Sequence, residues 1–174
     1  MIVWLHGAFG AGKTAAAAEL RRRRPELVEY DPEMVGYLLR RALPLPTGDF
    51  QDLPEWRELV VAAGAVLDGA GRRLVVAPMS LLSEQYADEV FTGLASRGVE
   101  VRHVVLDVAA DELSRRIRTD EAEPGAVSWR LEHARAYADA RPWLVAAADL
   151  VVDTTTMTVE QVADEVARVL PPAG

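Results

Sequence analysis

The sequence contains no cysteine, a single lysine, few aromatics and no long apolar run. The missing thiols exclude cysteine nucleophiles, disulfide staples and thiolate metal sites. No stretch approaches the roughly 18 apolar residues of a membrane span. The opening Met1-Ile2-Val3-Trp4-Leu5 has neither the basic flank nor the length of a secretory signal, so a cytoplasmic protein is expected. Acidic residues outnumber basic ones, 27 to 19, and the net charge of -8 excludes general nucleic-acid affinity, which rests on cations meeting phosphates. What is present is a chain of 174 residues, half of them hydrophobic, the size of one ordinary domain (1–174) with apolar residues enough for its own core. Of its 19 basic residues 18 are arginine, and the exception, Lys13, lies in a glycine-rich stretch.

Short β-branched runs alternate with helical patterns along the chain. The strand-like runs are 2–5, 27–30, 74–77, 101–106 and 150–152; the helical ones are 13–23, 33–42, 54–70, 84–97, 110–118, 128–140 and 158–170. This alternation predicts an α/β fold with a parallel sheet covered by helices on both faces. The last helical pattern is amphipathic with a mostly acidic polar face, suited to packing on a sheet rather than to an anionic membrane. Two stretches interrupt the rhythm: the Pro-rich residues 43–54 and the polar residues 119–127. Both are placed on the carboxyl side of the sheet, where α/β proteins bind ligands.

Gly7-Ala8-Phe9-Gly10-Ala11-Gly12-Lys13-Thr14 matches G-x-x-x-x-G-K-[ST] at every fixed position, between an apolar strand and an alanine-rich helix. An accidental match has odds on the order of one in a few thousand for a chain of this composition. Glycines let the backbone turn so that successive N–H groups, including that of Ala15, face phosphate oxygens. The helix N-terminus adds its dipole, Lys13 reaches the outer phosphates, and Thr14 offers its hydroxyl to Mg²⁺. The expected ligand is ATP with Mg²⁺. The Asn-Lys-x-Asp motif of GTPases is ruled out, because no second lysine exists.

Val104-Val105-Leu106-Asp107 imitates a metal-binding strand, in which Asp107 either reaches the ion or merely ends the strand. Leu74 to Ala77 is the strand expected beside the phosphate loop, yet Pro78-Met79-Ser80 follows it where many such proteins carry an aspartate. Metal binding therefore falls to Thr14, the phosphates, water and Asp31. After residue 110 the pattern Leu113-x-x-Arg116 with Arg115 and Arg118 resembles the approach to the lid of small P-loop kinases, with Arg130 beyond the polar stretch. Such arginines neutralise a moving phosphoryl group, and Arg116 has the spacing that stacks on adenine. Asp153 and Thr154, in Leu150-Val151-Val152-Asp153-Thr154-Thr155, resemble the turn on which adenine packs; the same cluster also suits a helix N-cap.

Asp31, in Glu29-Tyr30-Asp31-Pro32-Glu33, ends the second strand and suits two roles: base toward an acceptor hydroxyl, or cap of the helix begun by Pro32. Tyr37, Arg40, Phe50, Gln51, Asp52, Trp56 and Arg57 form a mixed aromatic and polar set fit for a ring-bearing polar ligand. His6, His103 and His133 have no metal-ligand spacing; His103 reads as core and His6 borders the phosphate loop.

These motifs, together with Gly36, Asp49-Phe50-Gln51-Asp52, Trp56-Arg57, Pro78-Met79 and Ser128-Trp129, resemble the tunicamycin-resistance family of P-loop proteins over nearly the whole chain. More distantly the chain is similar to chloramphenicol phosphotransferases. The resemblance implies a P-loop NTPase of the nucleoside/nucleotide-kinase-like kind: a three-layer sandwich with five parallel strands in order 2-3-1-4-5, a short lid at about 118–128 and an acceptor-side insert at about 33–60. It also implies an ATP-dependent phosphotransferase acting on a nucleoside-like antibiotic, with Lys13, Asp31 and Arg116 catalytic and Asp31 as base. A protein that sequesters its ligand without transfer, and a metabolic nucleoside or nucleotide kinase, are the other readings. Family members can carry a longer C-terminal amphipathic segment, which Pro171-Pro172-Ala173-Gly174 does not provide, so no stable membrane association is expected. A monomer or homodimer is expected.

Overall fold

The computed structural model describes residues 1–44, 48–119 and 127–172. At its centre lies β1 (Ile2–His6), every residue of which is buried. It pairs in parallel with β3 (Val75–Ala77) on one side and β4 (Val101–Asp107) on the other, with Trp4 aligned to Ala77 and to His103. Outside these lie β2 (Val28–Glu29) and β5 (Leu150–Asp153), giving the parallel order β2-β3-β1-β4-β5 that the resemblance implies.

Side chains alternate across a strand, so β1 feeds two cores. Val3 and Leu5 join a cluster with Leu20 of α1 (Lys13–Arg23), Leu113 of α5 (Ala110–Thr119), Tyr137 of α6 (Val127–Ala147) and Val162 of α7 (Val159–Ala167). Ile2 and Trp4 join the opposite cluster, with Leu39 of α2 (Glu33–Ala42), Trp56 of α3 (Pro54–Asp68) and Val90 of α4 (Glu84–Ser96). Each fully buried leucine-sized side chain here stabilises the fold by about 1.5–3 kcal/mol. The result is helix, sheet, helix: a three-layer α/β sandwich. Among the described residues no helix is long and apolar enough to cross a membrane.

Two local readings change. The helix expected at 128–140 runs on to Ala147, straight through Pro142. Proline costs a helix one hydrogen bond, but burial of Ala140 and Leu144 against the sheet offsets that loss. The Asp/Thr cluster at 153–155 does not cap α7. Asp153 Oδ1 instead accepts from the N–H (3.0 Å) and hydroxyl (2.5 Å) of Thr155, and the cap is Thr158 in a capping box with Gln161. His6, beside the phosphate loop, continues the Trp4 face and packs 4.2 Å from the ring centroid of His103.

Candidate active site

β1, β3 and β2 all point their carboxyl ends at one open cavity of about 980 Å³. Its floor is the loop between β1 and α1. There the backbone of Gly7 comes so close to β4 that a Cβ would lie 2.6 Å from the Leu106 carbonyl oxygen, so only glycine fits. Gly12, in a left-handed conformation, opens α1. Phe9, Lys13 and Thr14 line the cavity.

The Lys13 ammonium donates to the carbonyls of Gly7 (2.7 Å) and Ala8 (3.0 Å). Desolvation of the ammonium, partly opposed by the Glu33 carboxylate, lowers its pKa to about 8, although the residue as a whole stays partly exposed. A cation that is costly to keep in the loop alone is one that gains from a phosphate partner.

Glu33, the first residue of α2, lines the cavity opposite Lys13, whereas Asp31 does not line it. Asp31 Oδ1 accepts from the Glu33 N–H at 2.9 Å and so holds the first turn of α2. Burial, and next the charge of Asp31, push the Glu33 carboxyl above its ordinary value; Tyr37 and Lys13 oppose this. Sequence reasoning settled on Asp31. Its register at the strand end was visible, but not which of the two acids faces the cleft.

Of the expected acceptor set, Tyr37, Arg40, Phe50, Gln51 and Asp52 line the cavity. Trp56 does not. It is fully buried, and its Nε1 donates to the Pro32 carbonyl at 3.1 Å, making it a packing residue behind the site. Arg57 also lies behind the wall: it donates to the Gln51 carbonyl at 2.6 Å, pairs with Glu89 and sits over the Tyr86 ring.

Gln51 in turn donates to the Ser80 carbonyl at 3.2 Å, and the Ser80 hydroxyl donates to the Gly7 carbonyl at 2.5 Å while the Gly7 N–H reaches its oxygen at 3.1 Å. The serine found where an aspartate was expected thus fastens β3 to the phosphate loop, and a chain of hydrogen bonds runs from Arg57 through Gln51 to that loop. The cavity also takes in Tyr86, Trp129 and His133. The sequence offered no spacing that would reveal Ser80, Tyr86 or His133. Trp129 was visible only through the resemblance.

Arg116, Asp153 and Thr154 lie away from this cavity. Arg116 pairs with Glu112 at 2.8 Å and donates to the Thr154 carbonyl at 2.6 Å, which ties the end of α5 to the turn after β5. Arg116 and Thr154 are thus in contact with one another, apart from the cavity. The Asp107 carboxylate is engaged by Tyr137 and Arg141, the latter at 2.6 Å. Most of the lid expected at 118–128 lies outside the described residues. Arg130 lines the cavity.

A protein-family model described as an AAA domain matches residues 2–141. The tunicamycin resistance protein of Deinococcus radiodurans is similar over 98% of both chains, at 28% identity and a TM-score of 0.73. The APS kinase of Mycobacterium tuberculosis, solved with AMPPNP and APS, shares the fold over 97% of this chain and 96% of its own, at 19% identity and a TM-score of 0.68. The shikimate kinase of Aquifex aeolicus shares it over 98% and 96%, at 18% identity and a TM-score of 0.61. No curated protein matches the chain.

Proposed function

From the premise that the chain belongs to the AAA-domain family of P-loop proteins, we propose that it is an ATP-dependent phosphotransferase that inactivates a nucleoside antibiotic such as tunicamycin. The observation that carries the reading is one cavity that sets Lys13 and Thr14 of the phosphate loop against Glu33 and the acceptor-side residues Tyr37, Phe50 and Gln51. Similarity to the Deinococcus tunicamycin resistance protein supports the choice of antibiotic.

ATP would be held by the backbone from Gly7 to Ala15 and by Lys13, with its base toward Arg116, Asp153 and Thr154. Among the described residues no three His, Asp or Glu side chains gather to hold a metal, so Mg²⁺ would draw on phosphates, water and the Thr14 hydroxyl. Bound there, the ion would neutralise phosphate charge. The acceptor oxygen forms a bond to the γ-phosphorus as the bond from that phosphorus to the bridging oxygen breaks; ADP leaves and the hydroxyl proton passes to a carboxylate. That carboxylate comes from the pair Asp31 and Glu33. Glu33 is the member on the cavity wall, and its raised pKa makes it a better proton acceptor.

Mass spectrometry of tunicamycin incubated with the protein and Mg-ATP is the test, and a single added phosphate is expected. Glu33→Gln should lower turnover by about 10²-fold or more with ATP binding retained, and Asp31→Asn by less. The reverse order returns the role of base to Asp31. Unmodified antibiotic, recovered from a tight ATP-linked complex, would instead favour sequestration. The serine in place of an acid after β3 favours that second reading. Turnover of common nucleosides alone would mark a metabolic kinase.

A further inference from the structure

The chain has only eleven Phe, Trp and Tyr residues, and five of them line this one cavity. Tyr37 and Trp129 are also the aromatic members of the exposed large hydrophobic set, at 52% and 48% exposure. An exposed aromatic face inside a cavity is a surface on which a planar ligand can stack. Trp129 is held in place rather than loose. Its ring lies 3.8 Å from that of His133, tilted by 34°, and 4.7 Å from that of Phe9 in an edge contact. His133 packs on Phe9 as well, at 5.6 Å, and its Nδ1 donates to the Trp129 carbonyl at 2.8 Å, which locks the imidazole against the indole. Phe9 in turn lies beneath the Lys13 ammonium, 5.4 Å from its ring centroid. The three rings thus form a shelf rooted in the phosphate loop and open to the cavity.

We propose that the shelf of Trp129, His133 and Phe9 is a stacking subsite for a planar heteroaromatic ring of the acceptor, and that it selects acceptors carrying such a ring. This rests on the reading of the cavity as the acceptor site. The shelf shares its cavity with Tyr37, Phe50 and Gln51, whereas Arg116 and Thr154, to which the proposed function assigns the ATP base, bond to one another beyond the cavity. On that assignment the donor nucleotide has its own base site, and the shelf is left for the second ligand. Stacking on an exposed ring face tolerates any planar base but discriminates against a puckered one, because contact with the whole π-face is lost.

The test compares uridine with 5,6-dihydrouridine, which keeps the ribose hydroxyls but loses ring planarity. Both are titrated calorimetrically into the full chain saturated with a non-hydrolysable ATP analogue. Uridine should bind about tenfold tighter than dihydrouridine. Trp129→Ala should erase that difference, Trp129→Phe should keep most of it, and affinity for the ATP analogue should stay within about twofold in both variants. The proposal is overturned if uridine shows no measurable binding or no preference over dihydrouridine, if Trp129→Ala leaves the preference intact, or if its loss falls on the ATP analogue instead. Thermal melts of both variants establish that they are folded. Because no turnover is read, a ring preference without phosphate transfer would leave the shelf standing while the phosphotransferase reading fails. Transfer without the preference would do the opposite.

Discussion

Lys13 carries the most direct chemical consequence of its surroundings. Desolvation lowers its pKa to about 8, while a phosphate partner favours the charged form. Binding of a nucleotide therefore takes up a proton wherever the unliganded lysine is neutral. Affinity for an ATP analogue should be flat below pH 8 and fall by up to about tenfold per unit above it, until the pKa of the bound state is reached. Lys13→Ala should lose both the affinity and this slope. Titrations between pH 6.5 and 9.5 in buffers of different ionisation enthalpy measure the proton count; a slope of zero in the native protein contradicts the assigned pKa shift.

At the scale of elements, the cavity wall lined by Tyr37, Phe50 and Gln51 depends on how closely α2 meets the 3-10 turn Phe50–Asp52. Gly36 makes that approach: a Cβ there would lie 2.6 Å from the Phe50 ring. Arg40, one turn along α2, covers the same ring at 5.2 Å and donates to the Gly48 carbonyl at 2.6 Å. Gly36→Ala should push Phe50 off the helix and destabilise the protein by about 1–3 kcal/mol, despite the better helix propensity of alanine. It should weaken acceptor binding and leave affinity for an ATP analogue unchanged, since the phosphate loop lies on another element. Urea unfolding and calorimetry together decide the point, and equal losses for both ligands would show that α2 also supports the loop.

Over the whole molecule the two cores meet at β1, and one of them contains an unusual pair. His6 is fully buried with no hydrogen-bond partner on either ring nitrogen among the described residues, and His103, whose Nδ1 donates to the Ala147 carbonyl at 3.3 Å, has none there on Nε2. Burial, then the charges of His103 and Lys13, lower the His6 pKa well below its ordinary value of 6.5. In the unfolded chain His6 takes up a proton as pH falls through 6.5, and the folded protein does not. Its contribution therefore destabilises the fold progressively from pH 6.5 downward, toward the depressed folded value. His6→Leu should be as stable as the parent at pH 7, or more so by about 1 kcal/mol, and lose less stability between pH 7 and 5. Thermal melts across that range measure it; parallel pH profiles for the two proteins would place the acid sensitivity in the carboxylates instead.

The sequence by itself determined the phosphate loop, the α/β alternation and the resemblance that carries the sheet order. Each is written in local spacing: glycines at fixed intervals, β-branched runs of four or five, helical periods between them. It also grouped Tyr37, Phe50 and Gln51, which line one cavity. Only the tertiary structure decided between neighbours that local pattern treats alike. Asp31 and Glu33 are two residues apart, and the direction in which α2 leaves the sheet puts Glu33 on the cavity wall while Asp31 caps the helix. Trp56 and Trp129 are equally apolar in sequence, yet burial takes one into the core and leaves the other at the cavity. Ser80 acquired its role from β3 lying beside β1, a contact 73 residues away along the chain, which no local signal could report. Short-range pattern encodes elements; the packing of distant elements chooses which of their side chains meet a ligand.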